Sequence, residues 1–246
     1  MSDLTHLKYK VWQANLALAK HNLVTLTWGN VSGIHRSRGL VVIKPSGVPY
    51  DTLAADDMVV VELATGAVVD SRCKPSSDLA THLALYRAWP HIGGIVHAHS
   101  VHATSFSQAC RDVPCLGTTH ADNFYGNVPC TRDLTAEEVA GEYEAATGDV
   151  IIECFRTRGI DPASIPAVLV AHHGPFTWGK SAHYAVEQAV ALEHICQMAH
   201  ITGQLNAVPA PFPGYVLEKH FQRKHGPKAY YGQHNDATTS NPAVSP

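Results

Sequence analysis

Leu4, Leu7, Val11, Ala14 and Leu18 step by three and four, which predicts an amphipathic helix ending near His21-Asn22. The period then shortens. Residues 25–32 read as a strand broken by Gly29, and Ser37-Arg38-Gly39 turns the chain into a second strand over 40–44. Residues 58–63 and 67–70 flank Ala64-Thr65-Gly66, a hairpin signal. A helix headed by Lys74-Pro75-Ser76-Ser77-Asp78 runs on through Leu83-Ala84-Leu85-Tyr86, with Ser76 or Ser77 as its cap. Residues 94–99 form a strand, 101–109 a short helix, and 118–126 a polar, aromatic loop. Thr135-Ala136-Glu137-Glu138 has the form of a capping box opening a helix that carries Glu142 and Glu144. A further helix over about 150–158 stops at Gly159. Another apolar strand follows at 167–171, then a long helix over 182–205 and a last one over 216–225. With no repeat and no internal boundary, the pattern is that of one α/β domain over residues 1–233. A tail over 234–246, rich in Asn, Thr, Ser and Pro, is expected to be disordered.

Composition narrows the class. A chain of 246 residues, 45% hydrophobic and 16% charged, can bury a substantial core. Its formal net charge is -3 and its basic residues are not clustered, which argues against a nucleic-acid surface or a polybasic membrane anchor. The start, Met1-Ser2-Asp3-Leu4, has no signal-peptide character, and no apolar run reaches membrane-spanning length. The expectation is a cytoplasmic protein. Six scattered cysteines without a C-x-x-C pair point to free thiols.

The candidate chemistry starts at Gly93-Gly94-Ile95-Val96-His97-Ala98-His99. In a strand the side chains alternate, so His97 and His99 project to one face, and neutral imidazoles suit a divalent transition metal. Histidine is abundant, at 17 residues, so context must select among them. A second apolar strand, 167–171, also ends in histidine, and a third nitrogen from there would leave coordination positions open, as catalytic sites do. Periodicity leaves the choice between His172 and His173 open. Two loops add polar groups: Gly29-Asn30, and Lys44-Pro45-Ser46-Gly47, whose amides, hydroxyl and ammonium suit an anion. The hydroxyl-lined helix start at Ser76-Ser77 suits phosphate equally well.

Several runs together carry a resemblance: Leu26-Thr27-Trp28-Gly29-Asn30-Val31-Ser32, Ile43-Lys44-Pro45-Ser46-Gly47-Val48, Lys74-Pro75-Ser76-Ser77-Asp78, Gly93-Gly94-Ile95-Val96-His97, Thr118-Thr119-His120-Ala121-Asp122, Arg223-Lys224-His225-Gly226 and Lys228-Ala229-Tyr230-Tyr231-Gly232-Gln233. In them the chain resembles the class II aldolase/adducin family, and specifically its epimerase branch, over residues 7–233. The resemblance implies an α/β/α sandwich around a mostly antiparallel sheet, assembled as a homotetramer with active sites between subunits. It implies zinc, or another divalent transition metal, on residues matching His97, His99 and His173, with Asp78 as a weaker or alternative ligand. It places a sugar phosphate against Gly29, Asn30, Ser46, Gly47, Ser76 and Ser77, with Lys44 close by, and matches Asp122 and Tyr231 to an acid/base pair supplied across a subunit interface.

The implied activity is epimerisation of L-ribulose 5-phosphate at C4, by cleavage and re-formation of the C3–C4 bond. The same chemistry would serve an aldolase that releases both halves, such as one cleaving L-fuculose 1-phosphate. Asp122 within Thr-Thr-His-Ala-Asp and the C-terminal tyrosine favour the epimerase. A non-catalytic, adducin-like binding module would be expected to have lost the histidines, and they are intact.

Overall fold

Valine and isoleucine runs too short for helices make the centre of the molecule. In the computed structural model, which describes residues 3–231, these runs form a seven-stranded sheet. The elements in chain order are α1 (Asp3–Lys20), β1 (Asn30–His35), β2 (Leu40–Ile43), β3 (Val59–Glu62), β4 (Val68–Asp70), α2 (Leu79–Ala88), β5 (Gly94–His97), α3 (Val101–Gln108), α4 (Thr118–Ala121), α5 (Ala136–Ala140), α6 (Tyr143–Arg158), β6 (Ala167–Val170), β7 (Gly174–Gly179), α7 (Ala182–Leu205) and α8 (Gly214–His225). The strand order is β4-β3-β2-β1-β5-β7-β6, and every ladder is antiparallel.

Period-two alternation sorts the side chains into two cores. Val42, Val60 and Val96 pack with Val11, Ala14 and Leu18 of α1 and with Ala185 and Ala189 of α7. Val41, Ile43, Val59, Val61 and Ile95 face the other way, against Leu83 and Tyr86 of α2 and Ile151 and Phe155 of α6. Full burial of each such side chain contributes about 1.5–3 kcal/mol. The sheet is therefore covered on both faces, the implied α/β/α sandwich. A third cluster joins Ala103 of α3, Phe124, Leu169, Leu192 and Ile195. At Gly94 any Cβ would overlap the backbone of Ala182, so glycine is what lets the start of α7 lie on β5.

Several boundaries differ from the sequence reading. The strand expected over 25–32 begins only at Asn30, because Leu26 and Gly29 take left-handed φ values of 55° and 75° and turn the chain. Neither serine caps α2: Asp78 occupies the N-cap position, without a capping side-chain bond. Thr135 and Glu138 do form the capping box, but α5 stops at Ala140. Glu142 occupies the N-cap position of the next helix, without a capping side-chain bond, and Glu144 lies within it, so α6 starts well before residue 150. The expected loop at 118–126 opens with the short α4. Strand β7 has no alternation to reveal it, since Gly174 to Trp178 are all buried. The tail over 234–246 lies outside the described residues.

Candidate active site and metal centre

His97 ends β5 on the α2 face of the sheet, paired in register with Asn30 on one side and Phe176 on the other. Its ring stacks on Phe176, with centroids 4.2 Å apart at 18°. Its Nδ1–H donates to the Pro175 carbonyl at 3.0 Å, so Nε2 is left as a lone-pair nitrogen. That nitrogen lies 3.1 Å from Nε2 of His99. His173, in the turn between β6 and β7, closes the triangle, and one ring nitrogen from each of the three lies within 4.8 Å of the others. Burial pushes the His97 pKa down to about 3 and lowers that of His173 as well. Converging neutral imidazoles are a donor set that fits a divalent transition metal.

The three histidines converge, but by a route that differs from the strand pattern the sequence suggests. His99 is past the end of β5 and exposed, on the irregular segment that leads into α3. Strand β7 lies between β5 and β6, so the histidines do not come from adjacent strands. His173, not His172, faces this cluster.

Asp78 lines the same cavity but lies outside the histidine cluster. Its Oδ2 accepts from Asn30 Nδ2 at 2.6 Å and from Ser76 Oγ at 3.3 Å. Burial alone would raise its pKa; the facing histidines and the Asn30 amide hold it below the usual carboxylate range. Beneath it, fully buried His82 bonds to Ser32 Oγ at 2.7 Å, and burial pushes its pKa down to about 4.

The triad and Asp78 line a cavity of about 600 Å³ shared with Gly29, Asn30, Lys44, Ser46, Gly47, Ser76 and Ser77. Three segments that are distant in sequence meet here because they are stitched together. Ser46 N–H donates to the Lys74 carbonyl at 3.0 Å and Ser76 N–H to the Lys44 carbonyl at 3.0 Å. The Ser46 amide, expected to be exposed toward an anion, is therefore used in holding the loops. Lys44 is buried, with Nζ 2.8 Å from the Val48 carbonyl and 4.7 Å from the Tyr50 ring centroid. Burial lowers its pKa to about 8. The Tyr50 hydroxyl reaches the Trp28 and Gly29 carbonyls, each at 2.9 Å. A Cβ on Gly29 would come within 2.9 Å of the His97 carbonyl oxygen, so only glycine seats this loop against β5. The buried Oδ1 of Asn30 has no protein partner among the described residues, which leaves an acceptor for a ligand hydroxyl.

Asp122 and Tyr231 lie elsewhere in the protomer. Neither lines the histidine cavity, yet they share Arg223 of α8. Its guanidinium grips Asp122 through Nε to Oδ1 at 3.0 Å and Nη2 to Oδ2 at 2.7 Å, and sits 4.6 Å from the Tyr231 ring centroid. His220 Nδ1 adds a bond to Asp122 Oδ1 at 3.1 Å. Burial pushes the Asp122 carboxyl up, but Arg223 and His220 outweigh it and hold the pKa below the ordinary value. Tyr143 and Glu144, at the start of α6, line the cavity and were missed in the sequence, with the Tyr143 hydroxyl 3.5 Å from His173 Nδ1. The break at Gly141, which starts a new helix beside the cavity, was the available signal.

The sheet, the histidine triad and the hydroxyl-walled cavity together match a family model. Residues 9–200 match the Class II Aldolase and Adducin N-terminal domain, and the chain belongs to that family. Among its relatives is "L-ribulose-5-phosphate 4-epimerase UlaF" of Salmonella paratyphi B (strain ATCC BAA-1250 / SPB7), 56% identical over 227 residues, covering 92% of this chain and 98% of the relative. The protein of the same description from Salmonella typhi is also 56% identical, with the same coverage. Among solved structures, an L-fuculose 1-phosphate aldolase superposes with a TM-score of 0.75 at 22% identity, over 91% of this chain and 97% of that one. YgbL, a putative aldolase/epimerase/decarboxylase from Klebsiella pneumoniae, gives 0.69 at 23% identity, over 87% and 97%. These structures share the fold.

Proposed function

We propose that this protein is a zinc-dependent epimerase that interconverts L-ribulose 5-phosphate and D-xylulose 5-phosphate, working as a homotetramer with its active sites between subunits. The likeness to the UlaF epimerases along nearly their whole length carries the choice of epimerase over aldolase. The triad at the cavity wall is what makes the chemistry possible.

The C4 proton of this ketose is not α to the carbonyl, so simple deprotonation cannot invert C4. Retro-aldol cleavage can. A base takes the C4 hydroxyl proton, the C3–C4 bond breaks, and the enediolate of dihydroxyacetone forms beside glycolaldehyde phosphate. The aldehyde turns its other face and the bond re-forms with opposite configuration. His97, His99 and His173 would hold the zinc, which when bound would supply Lewis acidity to a sugar oxygen. Gly29, Asn30, Ser46, Gly47, Ser76 and Ser77 hold the phosphate while the aldehyde rotates, and Lys44 keeps their loop in place. Asp78 steadies the triad as a counter-charge.

Two acid/base groups are needed, one per face, and Asp122 with Tyr231 fills both roles from an adjacent copy. Their placement supports this: both sit around Arg223 away from the cavity, Tyr231 exposed and Asp122 part-buried against the guanidinium, and the cavity that needs them is open. The test is a coupled assay of zinc-loaded protein on L-ribulose 5-phosphate that follows D-xylulose 5-phosphate. Product that vanishes on chelation supports the reading. No product from this substrate, with release of free aldehyde from another ketose phosphate, would make the protein an aldolase.

A further inference from the structure

The turn that aims His173 into the cavity aims His172 the opposite way, onto the protein surface. There its Nε2 lies 3.2 Å from Cys110 Sγ and 3.2 Å from Asp133 Oδ1. The sulfur and the carboxylate oxygen are themselves 4.0 Å apart. One imidazole nitrogen carries either a single proton or a single lone pair, so it cannot satisfy both partners. A cation among the three atoms satisfies all of them.

We propose that Cys110, Asp133 and His172 form a second divalent-metal site, separate from the histidine triad and suited to zinc or a similar borderline transition ion. Tetrahedral zinc with ordinary bond lengths would set sulfur–nitrogen, nitrogen–oxygen and sulfur–oxygen separations of about 3.6, 3.4 and 3.6 Å. The observed triangle matches each edge to within about 0.4 Å. Thiolate, imidazole and carboxylate together balance a divalent charge, and the thiolate with the imidazole disfavours magnesium and calcium.

The backbone holds the three donors in place. Cys110 and His172 both take left-handed φ values, 51° and 58°, and both donate their N–H to the same Ser107 carbonyl, at 3.0 and 2.9 Å. That carbonyl belongs to the last turn of α3, whose dipole favours a cation there. The segment bearing Asp133 is tied to the end of β6, since Thr131 N–H donates to Leu169 O at 2.9 Å and Ala171 N–H to Thr131 Oγ1 at 3.1 Å. Arg132 is locked between Glu138 and Glu153. All three donors are exposed, leaving solvent to complete the coordination.

Cobalt(II) titration of the metal-stripped full chain tests this, because a thiolate ligand gives a sulfur-to-cobalt charge-transfer absorption that an all-histidine site lacks. Two equivalents should bind per chain, one of them with that band. Cys110→Ser should remove the band and one equivalent, with an apo melting curve that matches the parent. Asp133→Asn should keep the band and weaken its titration. Binding without the band, or a band that survives Cys110→Ser, would overturn the proposal.

Discussion

The histidine cavity and the Asp122–Arg223–Tyr231 cluster are built in opposite ways. The first grows from the sheet: His97 is buried, stacked on Phe176, and bonded to the Pro175 carbonyl of the neighbouring strand β7. The second lies between the short α4 and α8, a helix with no fully buried residue, and Tyr231 is 50% exposed. A donor set that must hold a cation at fixed distances gains from the rigidity of a core. Groups that deliver protons from another copy have to be presented outward, and a surface helix does that. Under the proposed function, the difference teaches that a single protomer would contain the binding half of the site and would carry the proton-transfer half for a neighbour.

The most severe way to break the first region is His97→Asn. It should lose bound metal and lower turnover by more than the 10–100-fold typical of an outer-shell change, as read by elemental analysis and the coupled assay. Full metal content with a normal rate would remove His97 from the ligands. Tyr231→Phe attacks the second region instead, with metal content unchanged and turnover down by about 10²–10⁴. An unaltered turnover number would leave the tyrosine without a role.

Mixing the two inactive variants sharpens the contrast. If sites are shared between copies, random co-assembly gives about a quarter of them an intact triad and an intact tyrosine, and activity returns. Sites contained within one protomer would stay silent.

Arg223→Gln should act through pH. Because Arg223 helps to hold the Asp122 carboxyl below its ordinary pKa, its loss raises that pKa. The basic form then persists only at higher pH, so the acid limb of kcat/KM moves upward; an unmoved limb would separate Asp122 from catalysis. Smallest of all, Ser76→Ala should raise KM several-fold with little change in kcat, equivalent to about 1 kcal/mol. Since Ser76 does not cap α2, its melting temperature should barely change, and a marked fall would count against a binding role.

Much of the fold is readable where one period dominates. The three-and-four spacing of α1 buries one face, and the short apolar runs of β2 and β3, buried on both faces, stand out between turn signals, so these elements survive in the sequence. Strand β7 is covered on both faces and starts with Gly174-Pro175, which reads as a turn. The start of α6 is hidden because its first turns pack on α2 through Gly148, where a Cβ would come within 2.6 Å of Ala84 Cβ, and not through a stripe of large apolar residues. In the site, two histidines one residue apart stand out by spacing. Nothing local links Asp122 to Arg223, because their pairing depends on how α8 returns to α4. Tyr143 reaches His173 through a helix start that no periodicity marks.

The sheet order also bears on how the chain acquires its site in time. β5 pairs with β1 from far upstream, setting Asn30 opposite His97, and with β7 from far downstream, setting Phe176 on its other side. Such distant pairings close large loops, which slows folding and makes them late events. The cavity and its ligand triad are therefore complete only when the central ladder has zipped from both sides. A cation bound by the finished triad and not by the unfolded chain would draw the folding equilibrium toward the native state.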